Sequence, residues 1–544
     1  MTNHTVRITL SERPIFTYQT RPVLDQAQIS ALDAYAELYG RAERSLFAAI
    51  QAGGTVNDLK REFLPRFGIS ARQFNAMRVG LDGKIASIKE RRPDLMAEAQ
   101  TRIKKAAKVI KQLEAKAPGT NKLHQKKRRL AAVTADHAAG TVRLCFGSKK
   151  LFRAQFDLAA NGYATHAAWK RDWDKARASQ FFILGSQDET AGNQSCQASL
   201  ADDGTLNLQI RLPDALSEQG KHVIVRSVRF AYGHEAIIAA LASSERIHSQ
   251  TKAGKPTVKR VGSALSYRFV RDDTGWRIFV SVEARPVERV SRAELGAVGV
   301  DINADHLAVS ETDRFGNLIA TRRIDLVTYG MTTNQAKALI GDAAVQIADQ
   351  ARNAGKIVVM EALNFQKKKA ELEAVKPRQA RLLSSFSCNN IASSIKAATF
   401  RAGVAVIEVN PAYTSVIGAI NFAQVKGISV HQGAAYAIAR RGLGLSERPT
   451  VQVATVPTRN GGHVTFALPV RNRAKHVWSF WSKVRTSLQA AHVAHFRCGA
   501  AKTAPPPLSP ARPMECPIWN STVRFRGANR SQRCSESVWP DVPF

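Results

Sequence analysis

Two short aliphatic runs constrain the fold of this chain more than anything else in it. They are AVGVDI at 297–302 and KIVVME at 356–361, and each carries a carboxylate, Asp301 or Glu361, at its carboxyl end. Runs apolar at nearly every position read as buried strands, which implies a sheet with helices packed on it. The neighbouring sequence supplies them. LAVSETDRFGNLIATRRI gives two strands around a turn at Asp313–Gly316. Helical patterns follow across 332–355, 384–402 and 431–441, with the strand VAVIEV before the last. The order β-β-α-β-α-β-α predicts an α/β layer arrangement. A carboxylate at the carboxyl end of such a strand lies at the rim of the sheet, where a cleft can form. Taken singly, it is an ordinary surface acid. Two from neighbouring strands repel each other unless a cation lies between them. Carboxylates holding paired Mg²⁺ ions roughly 4 Å apart are the standard device for in-line phosphodiester hydrolysis.

Charge points to the same class of partner. The 544 residues include 79 Lys and Arg against 44 Asp and Glu, a net +35. That far exceeds the solubility charge of about 2–8 that suits a small domain, and it indicates a polyanion. Hydrophobic residues make up 44%, enough to fill several cores. At about 150 residues per domain, three or four domains are expected. No apolar run approaches the roughly 18–20 residues of a membrane span, and MTNHTVRITL lacks a secretory pattern. Six scattered cysteines form neither a disulfide framework nor a metal array. The expectation is a cytoplasmic, nucleoid-associated prokaryotic protein with no membrane partner.

The rest of the chain divides by texture. TVRITL at 5–10 alternates like a strand, and Pro14 and Pro22 interrupt before a long helical stretch that runs to about 135. Within it, Lys104, Lys105, Lys108, Lys111, Lys126, Lys127, Arg128 and Arg129 make a dense basic helix face. By itself that is a solvated face; in a chain this basic it suits tracking of phosphates. Phe63, Phe67, Phe74, Phe146, Phe152 and Phe156 in this half, and Trp478 and Trp481 later, are either core or base-stacking groups. From 140 to 290 short alternating runs (TVRLCFG, TLNLQIRLP, HVIVRSVRF) and a hairpin around DDTG suggest a β barrel or sandwich. Past about 497 the Pro-, Arg- and Ser-rich composition is that of a disordered tail.

Three segments resemble one family. GVDINADHLAVSETDRFGNLI resembles the first catalytic segment of RuvC-like (ribonuclease H-type) nucleases, and VVMEALNF resembles the second. VNPAYTS at 409–415 resembles the signature that follows in the TnpB proteins of insertion sequences, relatives of the type V CRISPR effectors. GTVRLCFGSKKLF at 140–152 also looks TnpB-related. The resemblance implies a multidomain α+β protein. A wedge β-barrel domain (1–27 and 136–290) would be interrupted by a helical recognition lobe (28–135). A RuvC-like α/β domain (291–495) and the tail (496–544) would follow. It also implies a guide RNA that reads double-stranded target DNA by base pairing, held by a protein that senses shape and charge. A separate transposase or CRISPR-locus components are further implied partners.

Two departures from that pattern matter. The zinc ribbon expected after YTS is missing, since VIGAINFAQVKGISVH has no cysteine, so no structural zinc is expected. The third acid, expected to open the last helix, is replaced: the pattern puts His431 in its place, with Gln432 following. Imidazole binds divalent metals, but Mg²⁺ prefers oxygen. Glu408 or Asp305 is a candidate substitute, and His431 and Gln432 also suit plain helix capping. Asp301 and Glu361 are the expected metal ligands, and Arg440 and Arg441 are placed along the scissile strand. Two versions stay open: a Mg²⁺-dependent DNA endonuclease with an unconventional third ligand, or a nuclease-deficient RNA-guided binder acting by occupancy or recruitment.

Overall fold

The computed structural model describes residues 14–113, 121–243, 245–250, 256–285, 287–328, 330–362, 385–458 and 462–498. The run at 5–10 and the tail beyond Cys498 lie outside them. The first described strand, β1 (Ile15–Thr20), starts after Pro14 and pairs antiparallel with β9 (Gly275–Glu283), Ile15 opposite Glu283. Between β1 and its sheet neighbours the chain makes a long helical excursion. It comprises α1 (Gln26–Gln51), α2 (Val56–Phe67), α3 (Ala71–Leu113), α4 (Asn121–Ala138), α5 (Lys149–Ala154) and α6 (His166–Arg177). Asp25 and Gln28 form a reciprocal capping box that starts α1, and left-handed Gly68 ends α2. The helical stretch thus runs about forty residues past the expected boundary, and TVRLCFG forms no strand. Its burial still alternates around Val142, yet it has no ladder partner among the described residues.

The chain re-enters the first sheet at β2 (Gln180–Ile183), giving the order β1-β9-β8-β2 with β8 (Leu265–Asp272). Tyr35 of α1 stacks on Phe181, and Phe181 on Phe269 across the β2–β8 pair, with ring centroids 4.2 and 4.6 Å apart. Three further short elements complete this half: the sheet β3 (Cys196–Leu200), β4 (Leu206–Arg211) and β5 (His222–Val228), the helix α7 (His234–Ala242), and the hairpin β6 (Glu245–Gln250) and β7 (Pro256–Val261). The expected barrel is therefore not closed. The alternating runs exist, but they pair into separate open sheets that share one core with α1–α3.

The second half is built on a five-stranded sheet, order β12-β11-β10-β13-β14. These strands are β10 (Ala297–Ile302), β11 (His306–Thr312), β12 (Leu318–Asp325), β13 (Ile357–Glu361) and β14 (Val406–Val409). β10, β13 and β14 run parallel, and β11 antiparallel. Helices α8 (Thr333–Ala354) and α9 (Ser385–Arg401) cover one face, burying Val298, Val300, Val358 and Met360. The opposite face carries Ala297, Ile357, Val359 and Val409 against Ile438 and Ala439 of α10 (Val430–Gly442). A hairpin of β15 (Val453–Pro457) and β16 (His463–Ala467), then α11 (Val477–Cys498), add a separate core around Trp481. Chain contacts divide at Ala491, and of the second unit only His492–Cys498 is described. Among the described residues, no helix is long and apolar enough to cross a membrane.

Helix α10 sits unusually close to β10. A Cβ at Gly299 would lie 2.1 Å from the Ala435 carbonyl oxygen, so the contact is backbone on backbone. Gly299→Ala is expected to destabilise the chain by about 1–3 kcal/mol, the cost of overpacking a fitted contact. A urea unfolding midpoint equal to that of the unsubstituted chain would contradict this seat for α10.

Candidate active site

Strand register decides where the two sequence-defined acids go. Gly299 pairs with Val359 and Val300 with Met360. One step further along both strands, just past the last paired residues, come Asp301 and Glu361. Side chains alternate faces, so both acids share the α10 face with Gly299 and Val359. Asp301 is 6% exposed and Glu361 half-buried.

Each carboxylate is held by a neighbour. Asn303 donates its side-chain amide to Asp301 Oδ2 at 3.0 Å. Glu361 accepts from the hydroxyl of Thr414, a buried residue of the YTS segment. That segment turns sharply because Tyr413 adopts a left-handed backbone, φ 63°. A non-glycine residue there stores roughly 1–3 kcal/mol of strain, and it delivers the Thr414 hydroxyl to the sheet end.

His431 arrives from the first turn of α10, with Nδ1 3.5 Å from Asp301 Oδ2. The structure thus brings His431 together with Asp301 in the position the motif spacing assigned to a third acid. Gln432 does something else. Its side chain accepts from the Ser429 N–H at 3.0 Å while Ser429 Oγ caps the Gln432 N–H, and its carbonyl accepts from Ser310. Gln432 is a cap. The His431 ring also meets His306 edge-on, centroids 4.9 Å apart. His306 in turn holds Asp305 at 2.7 Å, and that hydrogen bond, with Arg323 nearby, keeps the Asp305 carboxyl below the usual carboxylate range. Asp305 is thereby engaged by His306 and Arg323.

Glu408 lies on the wrong side of the sheet for a substitute ligand. It pairs in register with Met360, faces α9, and ion-pairs with Lys396 at 2.6 Å. Arg440 and Arg441, expected along the scissile strand, turn inward instead. Arg440 donates to the Gly316 carbonyl at 2.5 Å, and Arg441 to the Ala412 carbonyl at 2.9 Å and to Glu447. Of the basic helix residues, Lys127, Arg128 and Arg129 are exposed on α4. The side chains of Lys104, Lys105, Lys108, Lys111 and Lys126 lie outside the described set. Phe63, Phe74 and Trp481 are core, whereas Phe152 and Phe156 are exposed. Asn303 and Thr414 are the site residues that the sequence reading did not single out, although Thr414 stands inside the quoted VNPAYTS.

Among the described residues, no three of His, Cys, Asp and Glu group as a metal holder. Two carboxylates with one imidazole do not supply the oxygen-rich shell that Mg²⁺ demands. The donor set departs from a three-acid centre at one position, 431.

A scan against protein-family models finds no match, and a search of curated proteins finds none. Among solved structures, a Cas12f1–sgRNA–target DNA complex aligns at 11% identity over 79% of this chain and 99% of that one, TM-score 0.31. A CRISPR–Cas12f ternary complex aligns at 11% over 78% and 98%, TM-score 0.18. The RuvC of T. thermophilus in complex with a Holliday junction substrate aligns at 16% over 27% and 90%, TM-score 0.20. These scores are low. The functional reading stands on the sheet geometry and the motifs instead.

The Thr414–Glu361 bond is separable from any activity. Thr414→Val is expected to cost about 1.5–3 kcal/mol, the range for hydrogen bonds to charged groups. That loss should shrink in a Glu361→Ala background, as a double-mutant cycle reads it. Strictly additive losses would show that the hydroxyl does not serve Glu361.

Proposed function

We propose that this chain is an RNA-guided DNA-binding protein of the TnpB and type V effector kind, with a RuvC-like domain whose third ligand position is His431. One observation carries the reading: Asp301 and Glu361 follow the paired Val300 and Met360 at the ends of neighbouring strands, and α10 delivers His431 to Asp301. The net charge of +35 supports a polyanionic partner, and the order of the three motifs supports the guided family. In this reading the guide RNA selects the target and the protein grips the duplex backbone. The residues of the site orient one another: Asn303 fixes Asp301, Thr414 fixes Glu361, and Ser429 with Gln432 fixes the helix turn that carries His431. Mg²⁺, where a third carboxylate completes the set, supplies phosphodiester hydrolysis. With imidazole in that place, cutting is slow and binding dominates.

A second reading, occupancy with no cutting at all, is favoured by the lack of a three-member metal group among the described residues. One experiment separates them. The protein is purified with the RNA that accompanies it and incubated with matched plasmid, with and without Mg²⁺. The expected result is an RNA-dependent gel shift, slow Mg²⁺-dependent nicking that Asp301→Asn removes, and at least about tenfold faster cutting by His431→Asp, the scale on which one ligand or its support is worth. Plasmid left intact by both His431→Asp and the unsubstituted chain, with the shift preserved, establishes occupancy. An equal shift after RNase digestion sinks the guided reading altogether.

A further inference from the structure

The basic half contains a surface that none of the site chemistry uses. A cleft of about 770 Å³ opens between α1, the end of α2 and the turn at 214–215, lined by Arg41, Arg44, Arg66, Phe67, Gly68 and Asp214. Carboxylates answer part of this charge elsewhere: Glu62 pairs with Arg66 at 2.8 Å, and Asp214 with Arg211 at 3.3 Å. Among the described residues, neither Arg41 nor Arg44 has a carboxylate in ion-pair contact. Arg44 is part-buried, and that burial, with the adjacent Arg177 and Arg41 cations, lowers its pKa from the ordinary guanidinium value although the Asp174 and Glu43 carboxylates nearby oppose the shift. Cations crowded in this way gain from an anion placed in the cleft.

Side-chain contacts lead on from the cleft to Arg177, which is itself paired with Asp174. Arg44 donates to the Arg177 carbonyl at 3.4 Å, and the Arg177 guanidinium lies 5.0 Å over the ring of Trp173. Trp173 meets Phe152 at 5.7 Å, and Phe152 meets Phe156 at 6.0 Å, edge to face. Phe152 is 44% and Phe156 77% exposed, and Lys149, Lys150 and Arg153 stand exposed beside them. Large aromatic rings held outward among cations cost hydrophobic burial and gain nothing in the free chain. Phosphates have somewhere to sit at one end of this path, and base faces at the other. Duplex nucleic acid keeps its base faces stacked and cannot use Phe152 or Phe156; a single strand can.

We infer that the path from the Arg41–Arg44 cleft across Arg177 and Trp173 to Phe152 and Phe156 is a binding track for single-stranded nucleic acid. Phosphates lodge in the arginine cleft, and bases stack on the two exposed phenylalanines. This rests on the chain binding nucleic acid, and neither on cleavage nor on guided targeting.

The test uses the full chain and short labelled oligonucleotides: oligo-U RNA, oligo-dT DNA, and a duplex of equal length. Anisotropy titrations at elevated salt screen the phosphate attraction that a strongly basic chain exerts everywhere. Phe152→Ala with Phe156→Ala is expected to weaken single-strand binding about tenfold or more while leaving duplex binding unchanged. Phe156→Ala alone, at the more exposed ring, gives the same direction should the pair fail to fold, and Phe156→Tyr restores binding because it keeps the π-face. Arg41→Ser is expected to lower the salt slope by about one. A larger loss for RNA assigns the track to a flank of the guide, and a larger loss for DNA to a displaced strand. Unchanged single-strand affinity in the folded phenylalanine variants, or an equal loss for duplex, overturns the inference. Neither result bears on the plasmid experiment, so the two readings fail separately.

Discussion

Parallel pairing of β10 with β13, in the register that sets Gly299 beside Val359, is the constraint on which the candidate site depends. It fixes two carboxylates next to each other and fixes the face they share. A slip of one residue would turn Glu361 to the side covered by α8 and α9. Glu408 shows what a carboxylate needs there: buried at 7% exposure, it is matched by Lys396 from α9. Asp301 is met by the Asn303 amide and the His431 imidazole, and Glu361 by the Thr414 hydroxyl. The glycine at 299 matters for the same reason, since any side chain there would lift α10 and with it His431.

Much of this arrangement was legible in the sequence because parallel central strands are apolar on both faces. AVGVDI and KIVVME read as strands with an acid at each end, and the helical pattern between them was read as well, though its caps at Thr332 and Gly355 were not. Motif spacing placed His431 in the site, and the structure sets it beside Asp301. What failed to read through were contacts between distant positions. Thr414 reaches Glu361 across 53 residues and Ser310 reaches Gln432 across 122, and no periodicity records such pairs. Barrel closure failed for the same reason. Alternation in TLNLQIRLP and HVIVRSVRF reports that each strand has an inside, but it does not report which strand lies next to it. The segment around Val142 shows the limit most plainly, with alternating burial and no ladder at all.

Charge was the least decodable signal. Arg440 and Arg441 look like phosphate ligands by type and position, yet both spend their donors on backbone carbonyls that shape the turns at 316 and 410–412. Guanidinium groups suit this work because five donors in a rigid fork can satisfy several carbonyls at once. Arg41, Arg44 and Arg177 read identically in the sequence, but Arg177 pairs with Asp174 while, among the described residues, Arg41 and Arg44 have no carboxylate in ion-pair contact. Net charge says that a polyanion is wanted. Only geometry distinguishes cations used to build the protein from those left to meet a partner.

The residue at 431 joins these themes. It lies in the first turn of α10, where the helix dipole favours an anion by about 0.3–1 kcal/mol and disfavours a cation. A carboxylate at that position would suit the helix, yet it would stand as a third negative charge beside Asp301 and Glu361 in a semi-buried cleft. Like charges so placed raise one another's pKa and strain the fold until a cation binds. Imidazole reverses the balance: it forgoes the dipole and relieves the repulsion, and neutral or protonated it remains compatible with Asp301. The physical cost falls on the oxygen-ligand count, so whatever position 431 gives to the resting fold it takes from the affinity for a hard divalent cation.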